Sequence, residues 1–126
     1  MSEPRELTAR ERDVLVALIE NGARDDSVSP AQDAAERRFW RSQVDEVRVW
    51  ERCGCDECPS IELGDADGPT HADGPRVVLD AATDGALLLL FVDDNQLSYL
   101  ELAAIDDDAR SAEFPPVDSV LFSGRR

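Results

Sequence analysis

From Val47 onward the chain alternates between apolar and polar residues, and no other pattern in it leaves a fold so little freedom. In "DEVRVWERC", Val47, Val49 and Cys53 fall on one side of an extended backbone, with Arg48, Trp50 and Arg52 on the other. "SIELG" repeats the alternation with Ile61 and Leu63, and "RVVLDA" repeats it around Val77 and Leu79. "QLSYLELAAI" puts Leu100 and Leu102 on one face, and Leu97, Tyr99, Glu101 and Ala103 on the other. Just before it, "ALLLLFV" from Ala86 to Val92 is apolar at every position, which predicts a central strand covered on both faces. The polar "DDNQ" between these last two segments suits a hairpin. The connections are too short for helical crossovers, so the expected sheet is mainly antiparallel, with about five strands across residues 47–105.

Two helices are expected ahead of the sheet. "LTARERDVLVALIENG" carries Thr8 and Glu11 at capping-box spacing, and Val14, Leu15, Leu18 and Ile19 make one apolar stripe. Gly22 is expected to close this helix, about 8–22, in the left-handed conformation. "SPAQDAAERRFWRSQV" offers Ser29 as N-cap and Pro30 at the first helical position, for a helix of about 30–43. Ala31, Ala35 and Phe39, with Ala34 or Ser42, form its expected inner face, and Trp40 lies about 100° away as a flank. Helices first and strands afterwards give an α+β arrangement with the two helices packed on the sheet. "DADGPTHADGP" reads as a loop, and residues 106–126 as an irregular tail whose Val117–Phe122 stretch packs on the sheet edge. A chain of 126 residues is expected to be one domain.

Charge bounds what such a fold can bind. There are 28 acidic residues against 13 basic ones, all arginine, for a formal charge of −15. The excess is −6 over residues 1–63 (15 acids, 9 Arg) and −9 over residues 64–126 (13 acids, 4 Arg), so it is not an appended tail. A surface of that sign repels phosphate backbones and anionic membranes and attracts a basic partner. "MSEPRELTARER" lacks the apolar core of a signal peptide, and "ALLLLFV" is too short to span a bilayer, which takes about 20 helical residues. Three cysteines cannot all pair within one chain, so a cytoplasmic setting is expected.

Those cysteines lie together in "ERCGCDECPS". Extended, Cys53 and Cys55 would sit about 6.7 Å apart at Cα, near the limit for a disulfide. Cys55 and Cys58 form a C-x-x-C pair, but Pro59 and the strand-like "SIEL" do not supply the helix that redox pairs open. Two readings stay open. In one, the thiols pack as small hydrophobes at a turn. In the other, Cys53, Cys55 and Cys58 hold a structural zinc, with His71, the only histidine, as fourth ligand. The second makes the chain a small zinc-stabilised module or, at the extreme, a metal-dependent enzyme.

Other constellations are weaker. "DADG" from Asp65 lacks the remaining ligands of a calcium loop. No nucleophile elbow or phosphate-binding glycine loop is present. Asp93–Asp94 and Asp106–Asp107–Asp108 flank one expected strand, and such turns can meet a basic partner. Glu101 interrupts an apolar strand; on the wet face it is ordinary, and if buried it would need Arg76 or Arg48. "RCGCDECPSIEL" with "LLLFVDDNQLSYLEL" resembles a group of small uncharacterised bacterial proteins across residues 47–105, a resemblance that implies no activity. The expected function is therefore non-enzymatic: an acidic protein that docks a basic protein partner and masks its cationic site, as an inhibitor or immunity protein does. Trp40 and Trp50 are its expected apolar anchors, with Asp93, Asp94 and Asp106–Asp108 supplying charge.

Overall fold

The computed structural model describes residues 4–52, 59–71, 73–105 and 113–122. In chain order these form α1 (Ala9–Asn21), β1 (Ala23–Arg24), α2 (Pro30–Ser42), β2 (Arg48–Arg52), β3 (Ile61–Asp65), β4 (Gly68–Pro69), β5 (Arg76–Thr83), β6 (Ala86–Asp93) and β7 (Gln96–Ala104), then a 3-10 turn at Val117–Ser119. The architecture is α+β, with two helices and an antiparallel sheet. That sheet has seven strands where alternation predicts about five, in the order β1-β5-β6-β7-β3-β2 with β4 hung on β3. The two extra strands are two-residue edge pieces within "ARDDSV" and the Asp/Gly-rich loop. At two residues each they are too short to show alternation, so no sequence pattern announces them.

α1 begins as its sequence requires. Glu11 N–H donates to Thr8 Oγ1 at 3.2 Å, and Thr8 N–H donates back to Glu11 Oε1 at 2.9 Å. Arg5 adds a bidentate pair to both Glu11 oxygens at 2.9 Å. Burial pushes the Glu11 carboxyl up, but Arg5 and the Thr8 hydrogen bonds together hold it below its ordinary value. Val14, Leu15, Leu18 and Ile19 are buried against the sheet as the stripe predicts. Gly22 ends the helix in extended, not left-handed, conformation (φ −63°, ψ 147°). Its need for glycine is close approach instead: a Cβ there would lie 2.6 Å from Leu18 O and 3.1 Å from Leu79 Cβ.

α2 is turned round relative to expectation. Trp40 is 0% exposed and Phe39 49%, while Ala31, Ala34, Ala35 and Ser42 face solvent. The body of the protein meets the polar side of this helix. Arg24, its side chain nearly enclosed, makes ion pairs with Asp26 (2.7 Å), Asp33 (3.0 Å) and Glu36 (2.9 Å) and stacks 5.2 Å from the Trp40 ring. Arg37 bonds Asp33 and also donates to Ile19 O (3.0 Å) and Gly22 O (2.8 Å). α1 has no basic residue in its own last turn, so Arg37 supplies the cation its C-terminal carbonyls favour. Trp40 Nε1 donates to Asn95 Oδ1 at 3.2 Å, and Gln43 bonds both Asn95 O and Leu97 N–H, fastening the end of α2 to the β6–β7 turn.

The strands obey alternation except at two bulges. Between β2 and β3 the register slips at Trp50, so Val49 faces Leu63 but Glu51 faces Glu62, and position 52 stands opposite Ile61. Between β6 and β7 it slips again: Phe91 faces Tyr99, yet Val92 faces Leu97. Leu97 is therefore buried in the core with Leu90 and Leu100, not on the outer face with Tyr99. Asp94 and Asn95 both have positive φ (51° and 62°), the conformation of a tight two-residue hairpin, as "DDNQ" predicts. Val120 and Phe114 join the core, and Leu121 pairs with Ala82, so the tail does close the β5 edge. At the opposite edge Arg5 pairs with Val49 of β2.

The reversed helix yields a decisive comparison. Trp40→Ala should cost about 3–5 kcal/mol in urea unfolding, the range for an enclosed aromatic. Phe39→Ala should stay within about 1 kcal/mol of wild type, as substitutions at partly exposed sites generally do. The opposite ranking would refute the packing described here.

Candidate interaction surface

Both helices lie on one side of the sheet, where Leu79, Leu88, Leu90 and Leu100 are fully buried. Among the described residues no element is laid over the other side. Alternation on β6 therefore puts Leu87, Leu89 and Phe91 on an uncovered face, Leu87 being 38% exposed and the other two half-buried. "ALLLLFV" is central, as predicted, but the described residues cover it on one face only.

Register fixes the layout of this face. One row reads Ala82, Leu87, Ala103; the next reads Asp80, Leu89, Glu101; the third reads Val78, Phe91, Tyr99 and continues to Glu62 and Glu51 on β3 and β2. The result is an apolar column along β6 with carboxylates on neighbouring strands. Glu101 belongs to this half-buried outer face, across from Leu89, and is not a core residue. Among the described residues Asp80, Glu62 and Glu101 form no ion pair; Arg76 is engaged by Asp93 instead.

That pair borders the same face. Arg76 Nε and Nη2 donate to the two Asp93 oxygens at 2.7 and 3.0 Å, and the guanidinium lies 4.9 Å from the Phe91 ring. Asp93 is 1% exposed, so it is a structural carboxylate and not the solvated partner contact the sequence suggested. Arg76 first of all, helped by the Ser98 hydroxyl, holds the Asp93 carboxyl below its ordinary 3.8 against burial acting the other way.

The remaining expected site residues are scattered. Trp40 is enclosed in the core and cannot anchor a partner. Trp50 sits half-buried at its bulge with Nε1 donating to Asp65 O at 2.9 Å. Asp94 is exposed at the hairpin tip beside an open acidic cleft of about 390 Å³ lined by Asp65, Asp67, Asp73 and His71. Cys53, Cys55, Cys58 and Asp106–Asp108 lie outside the described residues. Among the described residues no group of three or more His, Cys, Asp or Glu is placed to hold a metal ion. None of those residues belongs to a helix long and apolar enough to cross a membrane.

The residues the sequence reading passed over are Leu87, Leu89, Phe91 and Asp80. For the three β6 residues the signal was present as the all-apolar run, which fits a doubly covered strand equally well; Asp80 occupied an outward position of "RVVLDA". No family model matches the chain, and neither a curated protein nor a solved structure is significantly similar to it.

Arg76→Ala should destabilise the protein by about 1–3 kcal/mol at pH 7, the cost of stranding a buried acceptor. A depressed carboxylate pKa stabilises the fold fully above its ordinary value, 3.8 for Asp93, and that contribution is lost as pH falls through the lower folded value. The gap between wild type and variant in urea unfolding should therefore narrow as the pH is lowered below 3.8. Equal stabilities at pH 7 would contradict the role given to the pair.

Proposed function

We propose that this protein is a non-enzymatic docking protein whose acidic surface receives a basic protein partner and masks that partner's cationic site. The observation that carries this reading is the sheet face left uncovered among the described residues, with Leu87, Leu89 and Phe91 in a column and Asp80, Glu62 and Glu101 around it, which form no ion pair among those residues. Apolar side chains left accessible in contiguous rows are the usual mark of an association surface. Desolvated aromatic and aliphatic anchors give a complex its lifetime, and surrounding charge sets the encounter rate and the sign of the partner. With a chain charge of −15, that sign is positive. The edges are poor alternatives for strand addition, because β5 is closed by β1 and Leu121, and β2 meets Arg5.

The test is affinity capture from an extract at low salt, followed by purification of each captured protein and measurement of its binding to wild type and to Phe91→Ser. A basic protein should bind wild type with affinity that falls steeply between 50 and 300 mM salt, as expected when exposed charges are screened beyond about 10 Å. It should bind Phe91→Ser about tenfold more weakly, the loss of roughly 1.4 kcal/mol from one anchor. Captured proteins that are neutral or acidic, or that ignore both salt and the substitution, would overturn the proposal.

A further inference from the structure

Resting on that reading, we infer that the occupant of the open sheet face is one amphipathic, cationic α-helix of the partner, lying along β6. Three features of the face select this shape. The apolar column follows β6 through its successive outward residues Leu87, Leu89 and Phe91, with the small Ala82 and Ala103 beside it at one end and Val78 and Tyr99 beside it at the other. Its central residue, Leu89, has Asp80 on one neighbouring strand and Glu101 on the other, all three in register. β5 and β7 are two strand spacings apart, about 10 Å, which is the diameter of a helix with its side chains, about 10–12 Å. A helix with an apolar stripe and arginine or lysine on both flanks therefore sets its stripe on the column and a cation over each carboxylate. A flat, uniformly basic surface would leave the column unfilled.

A second strain on the same face asks for positive charge. Glu51 and Glu62 stand directly opposite each other across β2 and β3, and like charges in that relation repel. The row leads from Phe91 through Tyr99 to this pair, so a cation at the end of the helix relieves it. The same carboxylates argue against a second copy of the chain as occupant. Two such faces brought together would oppose Asp80, Glu101, Glu51 and Glu62 with their own counterparts, between molecules of charge −15 each. From Leu87 to Phe91 the column runs about 14 Å, the length of roughly nine helical residues. The seat thus fits a short segment and not a whole bundle.

The probe is a labelled 18-residue peptide with leucines in one helical stripe flanked on both sides by arginines. Its control has the same composition with leucines spread round the helix. Fluorescence anisotropy at low salt should show the striped peptide binding wild-type protein at least tenfold more tightly than the control. The Asp80→Lys, Glu101→Lys double variant and, separately, Leu89→Ser should each weaken it about tenfold, with circular dichroism reporting intact folding. Amide hydrogen exchange on wild type, which requires no variant, should show protection by the striped peptide confined to β5–β7. Equal binding of both peptides, unaltered by the variants, would overturn the helix seat while leaving a basic partner standing. Failure of any basic protein to bind would instead remove the underlying reading. A wild-type dimer in sedimentation that Leu89→Lys dissolves would give the face to a second copy and overturn the inference too.

Discussion

Two helices of 13 residues, each about 20 Å long at 1.5 Å per residue, are laid over one side of a sheet with two sides. Everything distinctive about the molecule follows from how those helices are held there. α1 is held by apolar burial. α2 is held by charge, through Arg24 and Arg37 bridging Asp33, Glu36 and the C-terminal carbonyls of α1, with Trp40 as its one enclosed side chain. Paired charges of this kind are poor sources of net stability but demanding in geometry. Here they fix the rotation of α2, so that its alanines and Phe39 point outward.

Because both helices are committed to one face, the other depends on something outside the described fold or on water. β6 makes the asymmetry plain. Its even residues, Ala86, Leu88, Leu90 and Val92, are enclosed, whereas Leu87, Leu89 and Phe91 stand on the bare side. Acidic residues in register with them keep that side soluble and at the same time define what can approach it. Arg76 fills a different role: stacked over Phe91 and locked to Asp93, it is part of the frame and is not available to neutralise Glu101.

The sequence was a good guide to local structure because local rules wrote it. Thr8 and Glu11 make their reciprocal cap, Pro30 opens α2, and Asp94–Asn95 turns tightly, each from chemistry confined to a few residues. Alternation located four of the five long strands, the unbroken apolar run locating β6. It failed where a single inserted residue shifts the phase: the bulges at Trp50 and after Phe91 carry no composition cue, and the second of them moved Leu97 to the opposite face. It also failed on α2, where the apolar positions formed the more obvious stripe. Nothing local says that Arg24, nine residues before Asp33, would come to lie beneath that helix.

What the sequence by itself determined was the kind and order of the elements, the burial of the α1 stripe, and the sign of the surface charge, since these depend on residue type and near-neighbour spacing. Which side of α2 turns inward, that Trp40 and Asp93 are enclosed, and that an apolar column on β6 stands open between Asp80 and Glu101 were decided only by the tertiary structure. The physical reason is that these outcomes depend on which distant groups arrive to cover or neutralise one another. An apolar run states that burial is favourable; it does not state that anything will come to bury it.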